Sequence, residues 1–364
     1  MKKIVYIFLL ALQLIILLLG CNKPSLSQDA TYSVPEDNPT HEFVGGAKAG
    51  AAVITEPTAT YEPTFTKSTN IFRKLRQIQL KDGRIIYVLQ KEQAFFLTAD
   101  TPYSVDTTLM KELIFEQNCT SKLLINKDNP LPKDFLPKDL TPISANKVKL
   151  EYPDLKLIPS TLDALYSMVA AAKMDGIKGF IINSAYRSIF TQQLIFNSNL
   201  DSFKKTSKTC EEAFSRTRQL VALPGSSEHH TGLSLDIFSV NGRHRSDFEG
   251  TKEQIWLDKN LHRFGFIIRY PSDKTLITGS VYEPWHIRYV GVSLSTFLAE
   301  YNLCLEEFYE KIFKGEILEN GNCVFIGVGS AQKVYIDSWL MKNVSLEKVN
   351  TNNFLLTVVK SREE

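Results

Sequence analysis

One stretch of eleven residues, Ser226-Ser-Glu-His-His-Thr-Gly-Leu-Ser-Leu-Asp236, and a shorter one fifty residues further on, Glu283-Pro-Trp-His286, restrict what this chain can fold into. Together they hold His229, Asp236, His286 and Glu283, and those side chains can act as a set only in a fold that lays the two stretches side by side. Catalytic zinc usually takes three protein ligands from His, Asp, Glu and Cys and leaves a fourth position to water. A glutamate outside the ligand set can then serve as base for that water. After Gly232, Leu233-Ser-Leu-Asp-Ile-Phe238 alternates as a strand, so His229 in the preceding loop and Asp236 on the strand can reach one metal. His230, next to His229, would tend to point elsewhere, so His229 is preferred as the ligand. Glu283 and His286 are three apart, which a flat strand would put on opposite faces. Pro284 between them argues for an irregular lead into the strand that lets both reach the site.

The flanking sequence supplies further polar groups. Gly179-Phe-Ile-Ile-Asn-Ser184 reads as a buried strand that delivers Arg187, and a helix carrying Gln192 follows. An arginine at a strand end before a helix is placed to face a cleft, although alone it would more simply be a surface salt bridge. Upstream, the prolines between Asn126 and Pro142 describe an extended arm wrapping a surface. A helix follows, with Ser160 as a plausible N-cap, an apolar face of Leu162, Leu165, Val169 and Ala172, and Gly176 as its stop. The polar segment Ser202–Ala222 reads as one helix, and Lys252–Phe264 as another, closed by Gly265. His262, near that helix end, is read as structural.

The chain ends are of another kind. Lys2 and Lys3 precede an apolar run from Ile4 to Leu19, the pattern of a secretory signal. The ending Leu18-Leu-Gly-Cys21 resembles a bacterial lipobox, which implies a lipidated Cys21 and an extracytoplasmic protein anchored to the cell membrane. An uncleaved transmembrane anchor is the alternative. Residues 21–68 are rich in Pro, Thr, Ser, Gly and Ala and read as a flexible tether, with His41 a solvated linker histidine. Residues 69–120 have strand segments at 84–89 and 94–97 and a short helix at 108–116. Residues 315–364 read as a β-rich appendage, and neither end shows catalytic residues. Without Lys2 and Lys3 the basic residues number 40, equal to the 40 acidic ones, which argues against a nucleic-acid binder. Cys119, Cys210, Cys304 and Cys323 are even in number in a compartment that permits disulfides, with three pairings open, and unpaired buried cysteines are an equal alternative in bacteria with a single membrane. No CxxC pair is present.

The segment from Leu124 to Phe308 resembles the VanY-type D-alanyl-D-alanine carboxypeptidases, zinc peptidases of family M15B that trim peptidoglycan stem peptides. The resemblance rests on Asn126-Lys-Asp-Asn-Pro-Leu-Pro132, Ser184-Ala-Tyr-Arg-Ser188, Ser227-Glu-His-His-Thr-Gly232 with Asp236, Arg269-Tyr-Pro271, Thr278-Gly279 and Glu283-Pro-Trp-His-Ile-Arg-Tyr-Val-Gly291. Ala185 stands where the family often has glycine. The resemblance implies a compact α+β domain, an antiparallel sheet backed by helices, over residues 121–314. It implies Zn2+ held by His229, Asp236 and His286, and Glu283 as the base that passes a proton to the leaving amine. It implies Arg187 on the scissile carbonyl oxygen, and Ser227 and Gln192 on the substrate's end. The expected partner is a peptidoglycan stem peptide cut by a monomer. Removal of D-Ala from a tetrapeptide by L,D-carboxypeptidase action is the near alternative, and an inactive membrane-tethered wall-binding protein is the distant one.

Overall fold

A computed structural model describes residues 72–361, apart from Tyr103 and residues 115–120. The signal segment, Cys21, the tether with His41, and Cys119 lie outside the described residues. Those described belong to one unit, residues 66–364. No helix among them is long and apolar enough to cross a membrane.

The central layer is a five-stranded sheet in the order Phe266–Ile268, His286–Tyr289, Ser234–Ser239, Phe180–Ser184, Lys149–Leu150. Its pairings are antiparallel except the last, which is parallel. Ser234–Ser239 is buried along its whole length, as expected for a central strand. Helix Pro159–Met174 covers the sheet through Leu162, Leu165, Met168 and Ala172. Met168 joins that face as a fully buried residue, and Val169 is partly buried against the same core. The helix starts two residues earlier than expected, with Pro159 at its first position and Ile158 before it, and Ser160 caps nothing. The expected helix Ser202–Ala222 is shorter: its first three residues end the Gln192 helix, Ile189–Lys204, and a separate helix runs Cys210–Leu220. Thr209 breaks the run by accepting a bond from the Glu212 amide, so a local cap overrides continuous helical propensity.

The flanking segments, expected as separate appendages, share one structure. A second sheet runs Arg73–Gln79, Ile85–Lys91, Ala94–Thr98, Lys333–Ile336, Lys111–Glu112, so a C-terminal strand sits between N-terminal ones. It joins Ala94–Thr98 in parallel over Lys333↔Ala94 to Ile336↔Leu97. The expected helix at 108–116 is instead a 3-10 turn, Thr107–Leu109, followed by that short edge strand. A third sheet, Leu318–Glu319, Cys323–Gly329, Asn353–Val359 and Val344–Lys348, shares an apolar core with the second through Ile78, Val88, Val324, Ile326 and Val334. Helices Val292–Tyr301 and Leu305–Phe313 join this part to the central layer, burying Phe297 and Phe308 against Phe325. Cys210 is an exposed free thiol, and Cys304 and Cys323 are buried free thiols.

Candidate metal centre

Asp236 lies on the central strand, and His286, the first residue of its neighbour, is directly opposite in the antiparallel register. On its other side Asp236 pairs with Ser184 across an irregularity in Phe180–Ser184, after which the chain turns into Arg187. His229 sits in a 3-10 turn, Glu228–Thr231, closed by Gly232 at φ +70°. A side chain on Gly232 would be strained by that backbone and would also lie 2.9 Å from Leu140. The His229 carbonyl accepts a bond from the Arg187 amide at 3.1 Å, which fastens the turn to the strand end. Glu283 lies in the turn before the His286 strand, where its carbonyl accepts from the His286 amide at 3.1 Å and its own amide donates to Tyr270. The strand begins at His286, so the face alternation of a flat strand never applies to the pair.

His229, Asp236 and His286 are buried together, with one candidate ligand atom from each within 4.8 Å of the others. His229 Nε2 is 3.4 Å and His286 Nδ1 is 3.0 Å from the same oxygen, Asp236 Oδ1. The outer nitrogens face other partners. His229 Nδ1 is 2.6 Å from the Ala185 carbonyl, which can only accept, so that nitrogen carries the proton and Nε2 keeps its lone pair. His286 Nε2 is buried without a hydrogen bond, and Glu228 Oε2 stands 3.6 Å away. Burial, then the charge of Arg187, pushes His229 down to about 4, which keeps the ring neutral. Burial alone would lower His286, but its hydrogen bond to Asp236 and the nearby Glu228 carboxylate lift it to about 9. Burial would likewise raise Asp236, but the charge of Arg187 and the hydrogen bond with His286 hold it well below the usual carboxylate range. Two imidazoles and a carboxylate that converge in this way, with a proton held where a cation could sit, fit a tetrahedral zinc.

The cluster forms one wall of a cleft of about 510 Å³ that Arg187, Gln192, Ser227, Tyr270 and Glu283 also line. Arg187 is no surface salt bridge: Nη2 donates to Asp236 Oδ2 at 2.6 Å and Nε to Ser184 Oγ at 2.8 Å. Gln192 braces it, accepting from Nη1 at 3.3 Å while its own amide donates to the Ala222 carbonyl at 2.8 Å. Both His230 nitrogens are engaged, Nδ1 with the Arg187 carbonyl at 2.7 Å and Nε2 with the Gly225 amide at 3.1 Å. His230 therefore shapes the loop and offers no lone pair to a metal. The sequence reading missed Glu228, Arg269 and Arg288, all fully buried behind His286. A charge within an apolar strand, as in Phe266-Ile-Ile-Arg-Tyr270, was the available signal.

Residues 154–292 match the family model described as VanY, D-alanyl-D-alanine carboxypeptidase. The chain is 37% identical over 210 residues to a D-alanyl-D-alanine carboxypeptidase of Enterococcus faecalis, covering 58% of this chain and 73% of that protein. It is 31% identical to the bifunctional D-Ala-D-Ala dipeptidase and D-Ala-D-Ala carboxypeptidase VanXYC of Enterococcus gallinarum, covering 51% of this chain and 92% of the other. Among solved structures, the D,D-dipeptidase VanXYg in complex with a D-Ala-D-Ala phosphinate analog is similar at a TM-score of 0.56 and 26% identity, over 69% of this chain and 99% of that one. With the ligand cluster inside the matched region, the chain belongs to the VanY-type D-alanyl-D-alanine carboxypeptidases, a zinc-dependent family.

Proposed function

We propose that this enzyme hydrolyses the terminal D-Ala from peptidoglycan stem peptides, with His229 Nε2, Asp236 and His286 Nδ1 as zinc ligands and Glu283 as general base. The observation that carries the reading is the convergence of those three ligand atoms beside Arg187 and Glu283 on one cleft wall. Zinc, when bound, acts as a Lewis acid and lowers the pKa of its water to about 7. Glu283 takes a proton from the attacking water and delivers it to the departing D-Ala amine. Arg187, held by Asp236 and Ser184, presents its guanidinium to the scissile carbonyl oxygen as negative charge develops there. Ser227 contacts the peptide's end, and Gln192 sets the reach of Arg187 toward it.

The test uses residues 66–364 with metal content checked, incubated separately with muropeptide pentapeptide and tetrapeptide, and products read by mass. Loss of one alanine from the pentapeptide alone is expected. Loss from the tetrapeptide alone would replace the reading with L,D-carboxypeptidase action by the same residues. Zinc-loaded protein that cuts neither would favour wall binding over hydrolysis. His286→Ala is expected to bind no zinc, and unchanged metal stoichiometry would sink its assignment as a ligand.

We also propose that the enzyme works as a monomer outside the cytoplasm, tethered by lipid on Cys21. The sequence Leu18-Leu-Gly-Cys21 after an apolar run supports the lipid tether. Cys21→Ala should move the protein to the soluble fraction, and retention in membranes would show an uncleaved anchor instead.

A further inference from the structure

We infer that Glu228 is the positioning residue for His286, fixing the ring so that its proton stays on Nε2 and its lone pair on Nδ1 points to the metal site. The inference rests on the zinc reading above. Glu228 Oε1 accepts from Arg269 Nε at 2.8 Å and from Arg288 Nη1 at 2.7 Å. Oε2 accepts from Ser234 Oγ at 3.2 Å and is the oxygen 3.6 Å from His286 Nε2. A neutral imidazole carries one proton. A metal takes a lone pair, so with Nδ1, the nitrogen nearest Asp236, as the zinc ligand, the one proton of the neutral ring would belong on Nε2, where it is buried and needs an acceptor. Glu228 Oε2 is the carboxylate oxygen beside it, and a closure of a few tenths of an ångström makes the bond. Tyr270 stacks on the ring at 5.3 Å and 28°, so rotation out of this line is blocked from one side.

The frame behind Glu228 is anchored independently of it. Arg269 makes a two-pronged contact with Glu306, at 3.0 and 2.7 Å. Arg288 donates to the carbonyls of Tyr289, Ser121 and Leu123. Lys122, between the last two, donates to the Val290 carbonyl and lies 3.9 Å from Glu347 of the flanking sheet. The guanidiniums therefore do not depend on Glu228 for their place. Glu228 depends on them, and its second oxygen is left to serve His286. Through the segment 121–123 the same frame ties the flanking β part to the metal site. Outer partners of this kind set the tautomer and orientation of a metal-binding histidine, and their loss weakens metal binding about 10–100-fold.

The experiment compares zinc affinity of the full chain and of Glu228→Gln by competition with a chelator. Affinity about 10–100-fold weaker in the variant is expected. Equal affinity in a folded variant overturns the inference. Because the substitution leaves two buried arginines facing a neutral group, the wild type provides a second reading. In zinc-loaded protein labelled with ¹⁵N-histidine, one ring should be metal-bound through Nδ1 and carry an Nε2–H that is shifted downfield and exchanges slowly with water. Rapid exchange of that proton, or metal bound through Nε2 on both ligand histidines, overturns the inference. If the wild type takes up no zinc, the zinc reading falls and this inference with it.

Discussion

The cleft side of the central layer and the core of the flanking β part bury opposite kinds of residue. Behind the cleft, Glu228, Arg269, Arg288, Asp236, His229 and His286 are all buried, and each is held by directed bonds. In the flanking sheets the buried set is Ile78, Ile86, Val88, Val324, Ile326, Val334 and their apolar neighbours. Burying charge is unfavourable unless every charge is paired, so the first region gains geometric definition at the expense of tolerance. The second gains stability from non-directional burial, and residues of similar volume and shape can replace one another there.

That contrast predicts a graded series of effects. Glu283→Gln keeps the size of the side chain but not its basicity, and turnover should fall by about 10²–10⁴ with zinc content unchanged. Steady-state rates beside metal analysis test this, and near-normal turnover would remove Glu283 as the base. Arg269→Met leaves Glu228 and Glu306 buried with a partner lost, and should lower stability by about 3–5 kcal/mol in a denaturant titration. A loss below about 1 kcal/mol would mean that the network is far more tolerant than its burial indicates.

Acid should act on the centre next. His286 in the metal-free protein is raised to about 9, above its ordinary value, so below that pH zinc must displace a proton. Apparent zinc affinity should therefore drop about tenfold for each unit of pH from about 9 downward. In the metal-free protein the same shift stabilises the fold fully below about 6.5, and that contribution is lost as pH rises through about 9. Chelator competition across pH checks the first, and thermal melts of metal-free protein check the second. Smallest of all, Ile326→Val in the flanking core should lower stability by about 0.5–1.5 kcal/mol with zinc affinity unchanged. A drop in zinc affinity there would erase the contrast between the two regions.

The sequence by itself determined which residues are candidate ligands and that Asp236 lies on a strand, and the structure brings those candidates together. The strand after Gly232 and the one leading to Arg187 were legible from local pattern and turn residues. His229, Asp236 and His286 could be named as candidate ligands because metal-ligand side chains recur at characteristic spacings. Local boundaries set by competition between caps were less legible, as at Thr209 and Pro159. Only the tertiary structure decided how residues far apart in the chain share an environment. It set Asp236 opposite His286, gave both His230 nitrogens to the backbone, and put Lys333–Ile336 beside Ala94–Thr98. It also placed Glu228, Arg269 and Arg288 in one buried network. The physical reason is that periodicity records which face of an element turns inward. Whether a buried charge finds its countercharge depends on other elements, and no local pattern carries that information.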